Sequence, residues 1–267
     1  MENTKKQKLF EIASTQQGYF TAKQAIRAGF SYRMHTHYKQ NGEWLGIDRG
    51  VFRLAQFPNS PDEDYVRWSL WSRDRDGQPQ AVISHESALS IHDLSDIMLS
   101  KIHLTVPPGF RKKAPKGCVI HRGGISDDEK EQREGFFVTN PLRTIIDSAE
   151  SNCSIDYLEQ AIQEACDKGI IQIIDIVSAE MSKKANEKIM ISLWLLFCLK
   201  RGKDTIKSNR PGVLTAIKKA SSPPHRKKCF IKLVVFSFLF RVNAIRAKKS
   251  PVTVIWVFCS IKLKSPQ

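Results

Sequence analysis

A chain of 267 residues has room for two small domains, each with its own core. Its net charge of +15 points to a polyanionic partner, but residues 183–267 hold 20 basic against 2 acidic side chains and residues 1–182 hold 22 against 25. The pI of about 9.6 therefore describes the last third and is excluded as evidence about the rest. Six scattered cysteines form no CxxC pair, and the opening MENTKKQKLFEI reads as charged helix rather than a signal peptide, so a reduced, cytoplasmic protein is expected.

The fold class expected is α+β, in an N-terminal helical and hairpin domain over residues 1–57 and a small α+β domain over residues 58–178. The first helix spans Lys5–Thr15, with Leu9, Ile12 and Ala13 on one face, and Gly18 stops it. Thr21 with Gln24 three residues on is a capping-box pattern opening a helix over Ala22–Ala28, which Gly29 ends. Ser31 caps a third helix, Tyr32–Gln40. The apolar residues on both sides of Asp48-Arg49-Gly50 then predict a β-hairpin, with glycine supplying the positive φ of the turn. Helix, helix, helix and hairpin in that order is the pattern of a winged helix-turn-helix.

After an Asn59–Pro61 linker, an amphipathic helix is predicted over Asp62–Arg75, and Ala81–Ile83 leads into a helix over His85–Leu94 capped by Ser84. Lys101–Val106, Gly117–His121 and Phe136–Val138 read as strands of an antiparallel or mixed sheet. Asn140 as N-cap and Pro141 at the first helical position open a helix to Ala149, and Ser154 caps the last, Ile155–Lys168, closed by Gly169. From Met181 acids nearly vanish, and none follows Asp204. Residues 179–267 read as a basic tail that is not a native fold, either disordered or the product of a shifted reading frame; the competing reading is a basic arm for nucleic acid or anionic membrane. Its apolar runs, Ile189–Leu199 and Cys229–Phe240, fall short of the roughly 18–20 residues that cross a bilayer.

Residues 1–57 carry nine Lys/Arg against Glu2, Glu11, Glu43 and Asp48, a local excess suited to a duplex-binding face. With Met34 and Tyr38 turned to the core, Tyr32, Arg33, His35, Thr36 and Lys39 project outward on the third helix, where Tyr32, Arg33 and Thr36 suit base edges and Lys39 suits phosphate. Arg49 and Arg53 on the hairpin are expected to follow the backbone or enter the minor groove. The competing reading is a protein-binding adaptor whose winged helix is structural. No catalytic set, metal set or cofactor motif is expected. The histidines of His35-x-His37 point apart on a helix, Ser84-His85-Glu86 reads as a helix cap, and Asp127–Glu131 reads as a solvated acidic helix start. Arg143 and Asp147 are spaced for an ion pair within one helix. Arg111–Lys116 is either an exposed basic loop or an additional set of phosphate contacts.

Gly18-Tyr-Phe-Thr-Ala-Lys-Gln-Ala25 with Gly29 and Trp44–Leu54 resembles the N-terminal domain of AbiEi-type antitoxins of abortive-infection, type IV toxin–antitoxin systems. The similarity continues through Ser84–Leu89, Lys101–Pro107 and Val138–Asp147, so that it covers about residues 5–175. The resemblance implies a non-enzymatic transcriptional autorepressor that binds operator inverted repeats in double-stranded DNA. It also implies a functional partner, a nucleotidyltransferase-like toxin, with no stable complex required. The tail matches nothing in that pattern, so a truncated regulator that retains DNA binding alone is a further reading.

Overall fold

Leu9 and Ala13, one helical turn apart, are both buried, and around them residues Glu2–Ser14 form helix α1. The computed structural model describes residues 2–206, a mixed α+β fold. Gly18 ends the first turn region at φ +85°, and a Cβ there would lie 2.5 Å from the Phe57 side chain; only glycine meets both demands. Strand β1 (Tyr19–Thr21) leads into α2 (Ala22–Arg27), and the predicted capping box is formed, with Thr21 and Gln24 each bonding the other's backbone N–H. Helix α3 (Tyr32–Gln40), strand β2 (Trp44–Asp48) and strand β3 (Val51–Leu54) follow, with Gly50 at φ +69° in the hairpin turn. The three strands form an antiparallel sheet in the order β1-β3-β2.

Side chains alternate across that sheet. Phe20, Phe52, Trp44 and Leu54 turn toward the helices and pack with Leu9, Phe30 and Tyr38. Tyr19 and Val51 turn the other way, into a core shared with Val66, Leu70, Ile83 and Val138. Residues 1–57 therefore close a core on the helical face of their sheet, while the other face is covered through Tyr19 and Val51 by residues beyond 57.

The covering helix, α4, spans Glu63–Trp71, shorter than predicted. It stops because Ser72 Oγ accepts the N–H groups of Gln80 and Ala81, and Asp74 accepts those of Asp76 and Gln78, fixing a returning loop. The second sheet is mixed, with strands β4 (Val82–Ile83), β5 (Ile102–Val106), β6 (Cys118–Arg122), β7 (Lys130–Arg133) and β8 (Phe136–Thr139) in the order β6-β5-β4-β8-β7. Pairs β4/β8 and β5/β6 are parallel. Helix α5 (His85–Ile91) packs on β5 and β8 and on α6 (Pro141–Glu150), which packs on α7 (Ile155–Asp167). Asn140 and Ser154 cap α6 and α7 as their sequences predict.

Two expectations are refined. The acidic run Asp127–Glu131 starts only a short 3-10 helix, Asp127–Glu129, capped by Ser126, and its last two residues belong to edge strand β7. Helix α8 (Ile173–Ser178) is followed past residue 178 by a further helix, α9 (Lys183–Ile206), where Ala185 and Ile189 are buried. Lys184 and Lys188 donate to the carbonyls of Glu150, Ser151 and Cys153 at and just beyond the end of α6, satisfying acceptors that a helix end leaves open. The chain divides into two units between Ile189 and Met190, and the described part of the second is helical to Ile206. The reading of the tail beyond residue 206 falls outside the described residues.

Candidate nucleic-acid interface

One turn of α3 is tied down and the opposite side is open. Tyr38 stacks on Trp44 with ring centroids 5.0 Å apart and meets Phe30 edge-on at 5.2 Å. On the open side Tyr32 is 68% exposed, and Arg33, Thr36 and Lys39 are exposed. Lys39 lies across strand β2 at Gly46, where a Cβ would come within 3.2 Å of its Cε. The helix contains no acid, so its exposed face is basic and polar throughout. Ser31 begins the helix in extended conformation but makes no side-chain capping bond.

His35 and Arg53 do not join that face. His35 is 5% exposed, its ring 5.3 Å from Trp44 and 5.7 Å from Phe52, and burial lowers its pKa. The inward seam of α3 thus runs through His35 and Tyr38 with Met34 beside it, wider than the Met34–Tyr38 pair that the sequence suggests. Arg53 is 7% exposed because strand alternation aims it at the shared core. Its guanidinium donates to Glu63 Oε2 at 3.3 Å, to the Phe57 carbonyl at 2.6 Å and to Asn59 Oδ1 at 2.7 Å. It is a joint between the hairpin and α4, not a surface contact.

Arg49 is exposed at the hairpin turn. The turn itself is clamped: Arg73 Nη2 donates to the carbonyls of Arg49 and Gly50 at 3.0 and 3.3 Å, and its Nη1 to that of Leu70 at 2.6 Å. Burial lowers the Arg73 pKa, as expected for a cation spent on carbonyl groups.

The structure also gathers residues that lie far apart in sequence. His85 stacks on His121 at 3.6 Å, His121 Nε2 lies 3.2 Å from His103 Nδ1, and His103 Nε2 lies 3.1 Å from Glu86 Oε2. His85 sits at φ +55°, which folds its ring back so that Nδ1 is 2.8 Å from Ser84 Oγ. Ser84 and His85 thus face each other, and the Ser84 hydroxyl, read from the sequence as a helix cap, makes no capping bond to α5. That hydroxyl is fully buried and lies 2.7 Å from Thr105 Oγ1, within a closed polar network. Four of the six ring nitrogens are turned on one another, on Ser84 or on Glu86, and among the described residues no group of three or more His, Cys, Asp or Glu is arranged to hold a metal ion.

The predicted Arg143–Asp147 pair forms at 2.7 Å, and Arg143 also reaches Glu129 at 2.7 Å. Burial pushes the Asp147 carboxyl up to about 6 despite that partner. Glu129 is held by Ser126 and Arg143, and Asp127 by Lys130.

No helix among the described residues is long and apolar enough to cross a membrane. No protein-family model matches the chain, and no curated protein matches it. Among solved structures it is similar to the crystal structure of RV2827C protein from Mycobacterium tuberculosis, at 12% identity and a TM-score of 0.42, over 71% of this chain and 76% of that one.

Proposed function

We propose that residues 1–57 are a winged helix-turn-helix and that the protein binds double-stranded DNA as a transcriptional autorepressor of the AbiEi antitoxin type. One observation carries this reading: α3 buries His35 and Tyr38 while Tyr32, Arg33, Thr36 and Lys39 stand exposed on an acid-free surface. A helix of that kind fits the major groove, with Arg33 able to pair with both acceptors of a guanine and Lys39 placed for phosphate. The reading is non-enzymatic, in a cytoplasmic protein. A nucleotidyltransferase-like toxin as functional partner rests on the sequence resemblance alone.

A gel shift with the DNA upstream of its own gene tests the DNA-binding part. Arg33→Ala should lose about 1–3 kcal/mol of binding and relax the preference for one sequence. Equal binding by the variant and the parent would remove α3 as the reading element. The buried Arg53 and the clamped turn favour one element of a second reading, in which the hairpin is purely structural and the partner is a protein. Direct capture of the toxin by a protein with no DNA affinity would support it.

A further inference from the structure

The loop between β5 and β6, residues Pro107–Lys116, is basic and lies in the second sheet region, outside residues 1–57. It is held down at two points. Phe110 is buried 5.6 Å from the Trp71 ring, and Lys112 Nζ donates to the carbonyls of Trp71 and Arg73 at 2.6 and 2.7 Å. Phe110 is turned in and the exposed Lys112 is tied by its ammonium, which leaves the exposed Arg111, Lys113 and Lys116 as the side chains free to meet a partner.

The residue that receives Lys112 is the one that clamps the hairpin. Arg73 accepts from Lys112 through its carbonyl and donates through its guanidinium to the Arg49–Gly50 turn. The loop that follows Arg73 is fastened to the N-terminal helices as well: Lys23 Nζ donates to the Arg75 carbonyl and Arg27 to that of Asp76. Hydrogen bonds therefore run without a gap from the turn that displays Arg49 to the loop that displays Arg111, Lys113 and Lys116. The acids in between are partly spent: the Asp74 carboxylate turns in on the amides of Asp76 and Gln78, and Asp48 is 3.9 Å from Arg67.

From this we infer that the β5–β6 loop is a second phosphate-binding element, which grips the DNA backbone beside the hairpin and lengthens the site occupied on the duplex. The inference rests on the DNA-binding reading above and adds to it a contact made by the second sheet region. A preformed loop suits this role, because its cations are presented without ordering the backbone at the moment of binding. Contacts of this kind carry affinity and position but no sequence information. The loop therefore governs how salt weakens binding, while α3 governs which sequence is bound.

The experiment uses the full chain, a fluorescent duplex carrying the upstream DNA, and a scrambled duplex of equal length. Binding is followed across a salt series for the parent and for Arg111→Ala/Lys113→Ala/Lys116→Ala. The slope of log affinity against log salt should flatten by about 0.9 for each phosphate that the variant leaves unneutralised, about 2 to 3 in all. The preference for upstream over scrambled DNA should stay unchanged, and protection of the backbone should shorten on one side. Lys112→Met, which frees the loop but keeps its three exposed cations, should flatten the slope in part. Parent-like slope and protection in the triple variant, alongside loss of preference in Arg33→Ala, would overturn this inference and leave the α3 reading standing. Failure of the parent to bind duplex would remove both.

Discussion

Arg33 on α3 and Arg53 on β3 belong to the same fifty-odd residues and carry the same side chain, yet the fold uses them oppositely. Arg33 is exposed on a helix without acids. Arg53 is enclosed by Glu63, Phe57 and Asn59, its guanidinium 6.0 Å from the Tyr19 ring centroid. The difference comes from what covers each element. Helix α3 packs on one side only, whereas β3 is the central strand of its sheet and is covered on both faces. A cation on a once-covered helix remains available to a partner; a cation on a twice-covered strand becomes part of the scaffold.

That contrast can be broken most forcefully at Arg53. Arg53→Ala strands a carboxylate, a carbonyl and an amide, and hydrogen bonds to a charged group are worth about 1.5–3 kcal/mol each. We expect a stability loss of about 3 kcal/mol in urea unfolding, with the sequence preference of the folded fraction unchanged. Arg33→Ala should do the reverse, with stability within about 0.5 kcal/mol of the parent and weaker DNA binding. A stable Arg53→Ala that fails to bind DNA would place Arg53 at the interface after all.

Acid provides a second, smaller separation. Burial holds His85, His103 and His121 below the usual histidine value, His85 down to about 2. Neutral histidines stabilise the fold fully above the unfolded value of about 6.5, and that stability is lost as pH falls through their folded values. Asp147 runs the other way, since its carboxyl, raised to about 6, favours the fold at low pH and loses that contribution as pH rises through 6. Between pH 7.5 and 5.5 the three neutral histidines cost stability on acidification, at about 1.4 kcal/mol per pH unit for each proton of difference, and Asp147 offsets part of that loss. Urea midpoints at pH 7.5 and 5.5 should differ, and His103→Asn with His121→Asn should narrow the gap. Equal midpoints in the parent would contradict the description of this cluster as a neutral stack.

Local chemistry was readable in the sequence where one short segment determines the outcome. The Thr21–Gln24 box, the Asn140-Pro141 start and the Ser154 cap each satisfy helix ends with side chains a few residues away, and all three form. What escaped depends on distant segments. Burial of Arg53 follows from α4 covering β3, which no hairpin pattern reveals. Strand β7, Lys-Glu-Gln-Arg, shows no apolar alternation because it is a charged edge that pairs on one side only. The histidine cluster joins the start of α5 to two neighbouring parallel strands, where His121 pairs in register with Thr105 and His103 lies two residues before it. Helix α9 was hidden by the basic composition of the tail, although Ala185 and Ile189 stand one turn apart on its buried side. The candidate DNA face was partly legible: helical spacing exposes Tyr32, Arg33, Thr36 and Lys39, but it does not reveal that His35 fills the space between Trp44 and Phe52.

We propose that α3 presents its outer face, and not His35, to DNA. The most direct measurement is the ratio of affinities for upstream and scrambled duplexes, taken at one salt concentration for the parent, Tyr32→Ala/Arg33→Ala/Thr36→Ala and His35→Leu. Specific sites are typically bound at least about 10³-fold more tightly than random ones. Such a ratio is expected for the parent, with its retention in His35→Leu and its collapse in the triple variant, where salt-sensitive, unspecific binding is left behind. A parent that does not distinguish the two duplexes, or a triple variant that distinguishes them as well as the parent, would contradict it.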